Sequence, residues 1–159
     1  MSIAMDQWIN RERLLDAAFR MIEVPSPTGE AGRAIDALSD LLAADGFKVD
    51  RIDAGHPRAP ALAVRLDSGR PGPTLQFNGH LDTVHLPFVP PSILDGRLLG
   101  SGASDMKGGT AAAVEAFRAL RDAKILACGS VLLTVHDLHE APWGDGRQLD
   151  ALIASGVAG

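Results

Sequence analysis

Thr74-Leu75-Gln76-Phe77-Asn78-Gly79-His80-Leu81-Asp82 is the stretch on which the reading of this chain turns. Apolar residues alternate with polar ones over 74–78, which predicts a strand. Gly79 closes it and sets His80 at the C-terminal mouth, where ligand sites of open α/β sheets gather. His80 and Asp82 are two residues apart, so on extended backbone their side chains share one side. That spacing lets the imidazole ligate a metal while the carboxylate behind it accepts the other ring N–H, fixing the tautomer and aiming the ring. Downstream, Gly102-Ala103-Ser104-Asp105-Met106-Lys107-Gly108-Gly109 offers a second anionic oxygen, Asp105, from a separate turn.

Outward from this centre the chain alternates helical and strand patterns. Leu14, Leu15, Ala18, Phe19, Met21 and Ile22 form a helical stripe that Pro25 ends, because the residue before proline is pushed out of the helical region. Thr28 is the expected N-cap of a second helix, with Glu30 in its first turn and Ala31, Ile35, Leu38, Leu41 and Leu42 on its buried side. Gly46 suits the end of that helix. Strands are expected over 47–52 and 61–66 as well as 74–78. Asp95-Gly96, between Ile93-Leu94 and Leu98-Leu99, signals a short hairpin. A helix from Gly108 to about Ala123 is apolar over most of its surface and belongs against a sheet. A buried strand over 131–135 follows and leads to the loop His136-Asp137-Leu138-His139-Glu140.

Composition narrows the class. Hydrophobic residues are 46% and charged residues 22% of the 159, as in a globular chain rather than a disordered one. A net charge of −5 without a basic cluster argues against nucleic acid as a partner. The longest largely apolar run, 125–135, is far short of the ~20 residues of a membrane span. The first residues lack a basic region followed by an apolar core, so no secretory signal is expected. Cys128 is the one cysteine and forms no internal disulfide. Its apolar surroundings predict a buried thiol, and a cytoplasmic location is the expectation.

Other motifs carry less. Gly100-Ser101-Gly102 lacks the third glycine of a dinucleotide fingerprint, and Lys107 precedes glycine instead of following it as in a P-loop. His139-Glu140-Ala141-Pro142-Trp143 starts like a zincin helix, but Trp143 stands where the second histidine belongs and Pro142 disrupts the helix. His56, His85 and His136 read as polar loop or strand-end residues. Asp105 also has a bland reading, as N-cap of the helix near Gly108.

Pro25-Ser26-Pro27, the His80/Asp82 pair and the Asp105-Met106-Lys107-Gly108-Gly109 turn, in that order, resemble the M20 family of metallopeptidases and deacylases. The likeness runs from about residue 14 onward and is strongest over 75–114. It implies an α/β fold: a three-layer sandwich with a mixed, mostly parallel sheet flanked by helices. Residues 1–159 are expected to be the N-terminal portion of an M20-type catalytic domain, with the lid and dimerisation domain and the C-terminal portion absent. By the resemblance, His80 holds one metal, Asp105 bridges two, and the Asp105–Met106 peptide is cis. The cofactor implied is a pair of Zn2+ ions, with Co2+ able to replace them, and the reaction is hydrolysis of an N-acyl amino acid or peptide amide. Full-length relatives are often homodimeric.

The family carries two adjacent glutamates where this chain has His139-Glu140. Aligned so, Glu140 is a ligand and His139 takes the place of the general base. Shifted by one residue, Glu140 is the base and His139 or Asp137 approaches the metal. His80, Asp105 and Glu140 supply three ligands where the family site uses five, so this chain alone is expected to be inactive, with an apolar sheet edge exposed. The alternative is a non-catalytic module that binds metal or docks to a complementary fragment.

Overall fold

The computed structural model describes residues 6–157. Helix α1 (Arg11–Ile22) starts where the Asn10 side chain accepts the Arg13 N–H at 3.0 Å, satisfying a donor the first turn leaves free. It buries Ala17, Ala18, Met21 and Ile22. Helix α2 (Gly32–Ala44) buries Ile35, Leu38, Leu41 and Leu42 as expected, but begins later than the sequence suggests. Thr28 does not cap it: its hydroxyl donates to the Thr83 carbonyl at 3.3 Å. The cap arrives from far along the chain, where Asp137 accepts the Gly29 and Ala31 N–H groups at 2.9 and 3.0 Å.

Four strands form the main sheet in the order β1-β2-β6-β3: β1 (Val49–Ile52), β2 (Ala61–Asp67), β3 (Thr74–His80) and β6 (Ser130–His136). The sheet is mixed, as expected, but the described strands are not mostly parallel. β1–β2 and β2–β6 pair antiparallel, and only β3–β6 is parallel. The loop between β1 and β2 is too short for the crossover a parallel pair requires, so the chain returns antiparallel. Between β3 and β6 lies helix α3 (Lys107–Ala123), long enough to carry the chain back for a parallel pairing. Short strands β4 (Ser92–Leu94) and β5 (Arg97–Leu99) make the expected hairpin about Asp95-Gly96.

Helices cover both faces. Leu62 and Val64 of β2 and Val131, Leu133 and Val135 of β6 pack with α1, α2 and α3 in one core. Alternate residues point to the other face, where helix α4 (Arg147–Ala154), which the sequence reading missed, sets Leu152 against Ala61. That face is polar toward β3: Gln76 donates to the Thr134 hydroxyl at 2.9 Å, and Thr134 donates to Asn78 at 2.8 Å. An ionic seam ties the helices together. Buried Glu115 of α3 accepts from Arg13 of α1 at 2.8 and 2.9 Å, and buried Arg118 donates to Asp45 after α2 at 2.7 Å. Burial pushes the Glu115 carboxyl up, but Arg13 outweighs it and holds the group below its usual value.

Cys128 is exposed, contrary to the expectation of a buried thiol. Helix α3 ends at Ala123, and the inward alternation of β6 begins only at Ser130, so Cys128 lies in the connecting loop. No helix among the described residues is long and apolar enough to cross a membrane.

Candidate metal centre

His80 is the last residue of β3 and pairs in register with His136, the last of β6, so both strands deliver their next residues to one mouth of the sheet. There His80, Asp105 and Glu140 bring ligand atoms within 4.8 Å of one another, with His80 buried, Glu140 half-buried and Asp105 exposed. Three elements contribute: the end of β3, the turn before α3, and the loop after β6. The Asp105–Met106 peptide is cis, as the resemblance implies, and Ala141–Pro142 is cis as well. Asp105 is not the N-cap of α3, whose cap position is Met106 with no side-chain bond.

The polarity of His80 tests whether a cation fits. Its Nδ1 lies 3.0 Å from the Asp82 carbonyl, which can only accept, so Nδ1 carries the proton. In a neutral ring Nε2 is then a bare lone pair, and it faces Asp105 Oδ1 at 3.2 Å. Two lone pairs at that distance repel unless a positive charge lies between them. Without a metal, a proton serves: burial favours the neutral imidazole, but Asp82 and Asp105 outweigh it and raise the His80 pKa. An imidazole and two carboxylates are also a donor set that zinc accepts. The residues therefore fit a divalent cation.

Asp82 does more than the pairing with His80 anticipated. Its Oδ1 is 3.5 Å from His80 Nδ1, farther than its own carbonyl, and makes no hydrogen bond among the described residues. Its Oδ2 accepts the N–H groups of His139 and Glu140 at 3.0 and 2.9 Å. A fully buried carboxylate thus grips the loop that presents Glu140 while standing behind His80. Burial raises the Asp82 pKa, but His80 and the Glu140 N–H prevail and hold it low.

His139 is exposed and outside the ligand cluster. Its ring stacks on His80 with centroids 4.1 Å apart and planes 19° from parallel. Asp137 is not among the residues whose ligand atoms cluster. It is fully buried, accepts the Gly29, Ala31 and Leu138 N–H groups and meets His56 Nε2 at 3.3 Å. That removes Asp137 from the alternatives for approaching a metal. His56 lies in a loop, as expected, but is buried as the partner of Asp137. His136 ends β6, and burial lowers its pKa. His85 stacks on Trp143 with centroids 3.9 Å apart and reaches the Thr28 carbonyl. Lys107 is fully buried and donates to the Val24 carbonyl at 2.9 Å, with burial lowering its pKa to about 8.

Residues 76–137 match the model of Peptidase family M20/M25/M40. The chain is 39% identical over 122 residues to a succinyl-diaminopimelate desuccinylase of Methylobacterium radiotolerans, an alignment covering 67% of this chain and 30% of that protein. It is 37% identical over 154 residues to the enzyme of that name from Gluconacetobacter diazotrophicus, covering 89% of this chain and 39% of that protein. Among solved structures, aminopeptidase PepT from Bacillus cereus superposes with a TM-score of 0.72 at 28% identity, covering 84% of this chain and 38% of that one. The chain therefore spans between 30% and 39% of the length of these curated relatives.

Proposed function

Because the chain belongs to peptidase family M20/M25/M40 through residues 76–137, we propose that it carries part of the active site of a metal-dependent hydrolase that cleaves amide bonds. The observation that carries this reading is the convergence of His80, Asp105 and Glu140 within 4.8 Å, with His80 Nε2 3.2 Å from Asp105 Oδ1. In this proposal these three residues hold Zn2+, of which a complete site takes two, and Co2+ suits the same donors. A divalent cation there supplies a Lewis acid for the amide carbonyl and lowers the pKa of water toward ~7.

The remaining steps belong to the chain. Asp82 keeps His80 in the tautomer that frees Nε2, and holds the 139–140 backbone so that Glu140 faces the cluster. His139, exposed and outside the donor set, is the general base: a ring nitrogen takes a proton from water and returns it to the leaving amine. The relatives' names speak of a desuccinylase and an aminopeptidase, which supports an N-acyl amino acid or a peptide as the substrate class.

Zinc titration by calorimetry, on the native chain and on His80→Ala, tests the reading. Saturable binding lost in the variant is expected, and binding unchanged by the substitution overturns it. Hydrolysis of N-acyl amino acids and dipeptides by the zinc-loaded chain then separates catalysis from the second reading, a metal-binding module without catalysis. The histidine at 139, where the resemblance places glutamate, favours that module; turnover by the zinc-loaded native chain excludes it, and turnover gained only in His139→Glu establishes it.

A further inference from the structure

The Pro25-Ser26-Pro27 motif supplies no residue to the ligand cluster, yet it lies along the backbone that sets His80. Pro27 forms a parallel bridge with Thr83, and the Thr28 N–H donates to the Thr83 carbonyl at 3.2 Å. Both prolines fix φ and lack an N–H, so the segment is stiff and is bonded through Ser26 and Thr28. It is tied on either side as well. Buried Lys107 donates to the Val24 carbonyl at 2.9 Å, and Asp137 accepts the Gly29 N–H at 2.9 Å.

Ser26 grips the two peptides that flank Asp82. Its hydroxyl, on a residue 1% exposed, donates to the Leu81 carbonyl at 2.7 Å, which belongs to the peptide before Asp82. Its carbonyl accepts the Thr83 N–H at 2.8 Å, which belongs to the peptide after Asp82. In the trans Asp82–Thr83 peptide the N–H and C=O share a plane and point opposite ways. Holding that N–H toward Ser26 therefore aims the Asp82 carbonyl away from Ser26, and there it meets His80 Nδ1 at 3.0 Å. The same carbonyl keeps the proton on Nδ1 and leaves Nε2 for the cluster.

We propose that Ser26 is a positioning residue of the metal centre, which sets the tautomer and ring of His80 through the two peptides on either side of Asp82. The role rests on the metal-hydrolase reading for what it serves, but on the hydrogen bonds for how it acts. Ser26 is outside the ligand cluster, so the backbone carries its effect.

The test compares Ser26→Ala, which removes the hydroxyl, with Ser26→Thr, which keeps it. Two readouts are taken. Ring ¹⁵N spectra of the histidine-labelled, zinc-free chain at alkaline pH report the tautomer of neutral His80, whose signals are identified by their loss in His80→Ala. Calorimetric titration reports zinc affinity. The native chain is expected to show the Nδ1–H form. Ser26→Ala is expected to give a mixture of tautomers and to weaken zinc binding by about tenfold, the lower end of what partners of a metal ligand contribute. Ser26→Thr is expected to restore both. Glu115→Gln, in the ionic seam between α1 and α3, controls for a general loss of stability and is expected to alter neither.

An unchanged tautomer in Ser26→Ala, or an unchanged affinity for zinc that is bound through His80, overturns the proposal. So does a loss that Ser26→Thr does not restore or that Glu115→Gln reproduces. A Ser26→Ala chain that does not fold assigns Ser26 to stability and overturns it too. Zinc binding indifferent to His80→Ala sinks the metal reading instead, and the zinc-free tautomer then decides the role of Ser26 by itself.

Discussion

Asp82 and Asp137 are both fully buried carboxylates just beyond the ends of neighbouring parallel strands, yet they do different work. β3 ends at His80 and is followed by Leu81-Asp82, and β6 ends at His136 and is followed by Asp137-Leu138, with His80 and His136 in register. The acidic residue comes two positions after the histidine in one strand and one position after it in the other. Side chains alternate along extended backbone, so that offset sends the two carboxylates to opposite sides. Asp82 faces the ligand cluster and holds the 139–140 amides. Asp137 faces the start of α2 and ties it to His56. One step of register separates a carboxylate that stands behind the candidate metal centre from one that ties down the start of α2.

The proposed ligands set the upper end of what can be measured. Removing His80 or Asp105, by His80→Ala or Asp105→Ala, should weaken zinc binding by more than ~100-fold, since second-sphere changes alone cost up to that much. Calorimetric titration of either variant reads it. If Asp105→Ala binds zinc as the native chain does, Asp105 is not a ligand.

The two buried carboxylates should then part company. Asp82→Asn is expected to weaken zinc binding by about 10- to 100-fold, because His80 loses the charge behind it and the Glu140 loop loses its anchor. Asp137→Asn should instead lower stability by about 2–3 kcal/mol, the scale of hydrogen bonds to a buried charge, with a smaller effect on zinc. Urea unfolding and zinc titration of both variants make a crossed comparison. Equal effects on both readouts would erase the distinction drawn between them.

The ionic seam gives a pH dependence with a definite sign. Arg13 holds Glu115 below its ordinary pKa of 4.5, so between the folded and unfolded values the unfolded chain binds more protons. The stabilisation is complete above that ordinary value and is lost as pH falls through the folded one. Urea midpoints of the native chain should therefore decline more steeply in acid than those of Glu115→Gln. The smallest effect is expected at Cys128: being exposed, Cys128→Ser should change stability by less than about 0.5 kcal/mol. Its thiol should react with a disulfide reagent in the native chain without unfolding, and a thiol that reacts only in denaturant would restore the buried reading.

Much of this was legible in the chain. Apolar periodicity marked α1, α2, α3 and each strand of the main sheet, and Asp95-Gly96 marked the hairpin, because those signals are local. His80, Asp105 and Glu140 were legible as residue types in a known order. What escaped the reading depended on partners far away. The start of α2 was misjudged because its cap, Asp137, lies 106 residues from Ala31. Helix α4 was missed because Gly146 opens it without a side-chain cap. Among the described strands only β3–β6 is parallel, because β6 inserts between β2 and β3 and runs against β2.

The sequence by itself determined which elements form and which side chains are available for chemistry, since propensity, periodicity and residue type act within a few positions. Only the tertiary structure decided that His139 stacks outside the donor set, that Asp137 serves α2 and that Asp82 holds the Glu140 loop. Those outcomes depend on strand order and register, and a shift of one residue in either strand would exchange the faces on which these side chains stand.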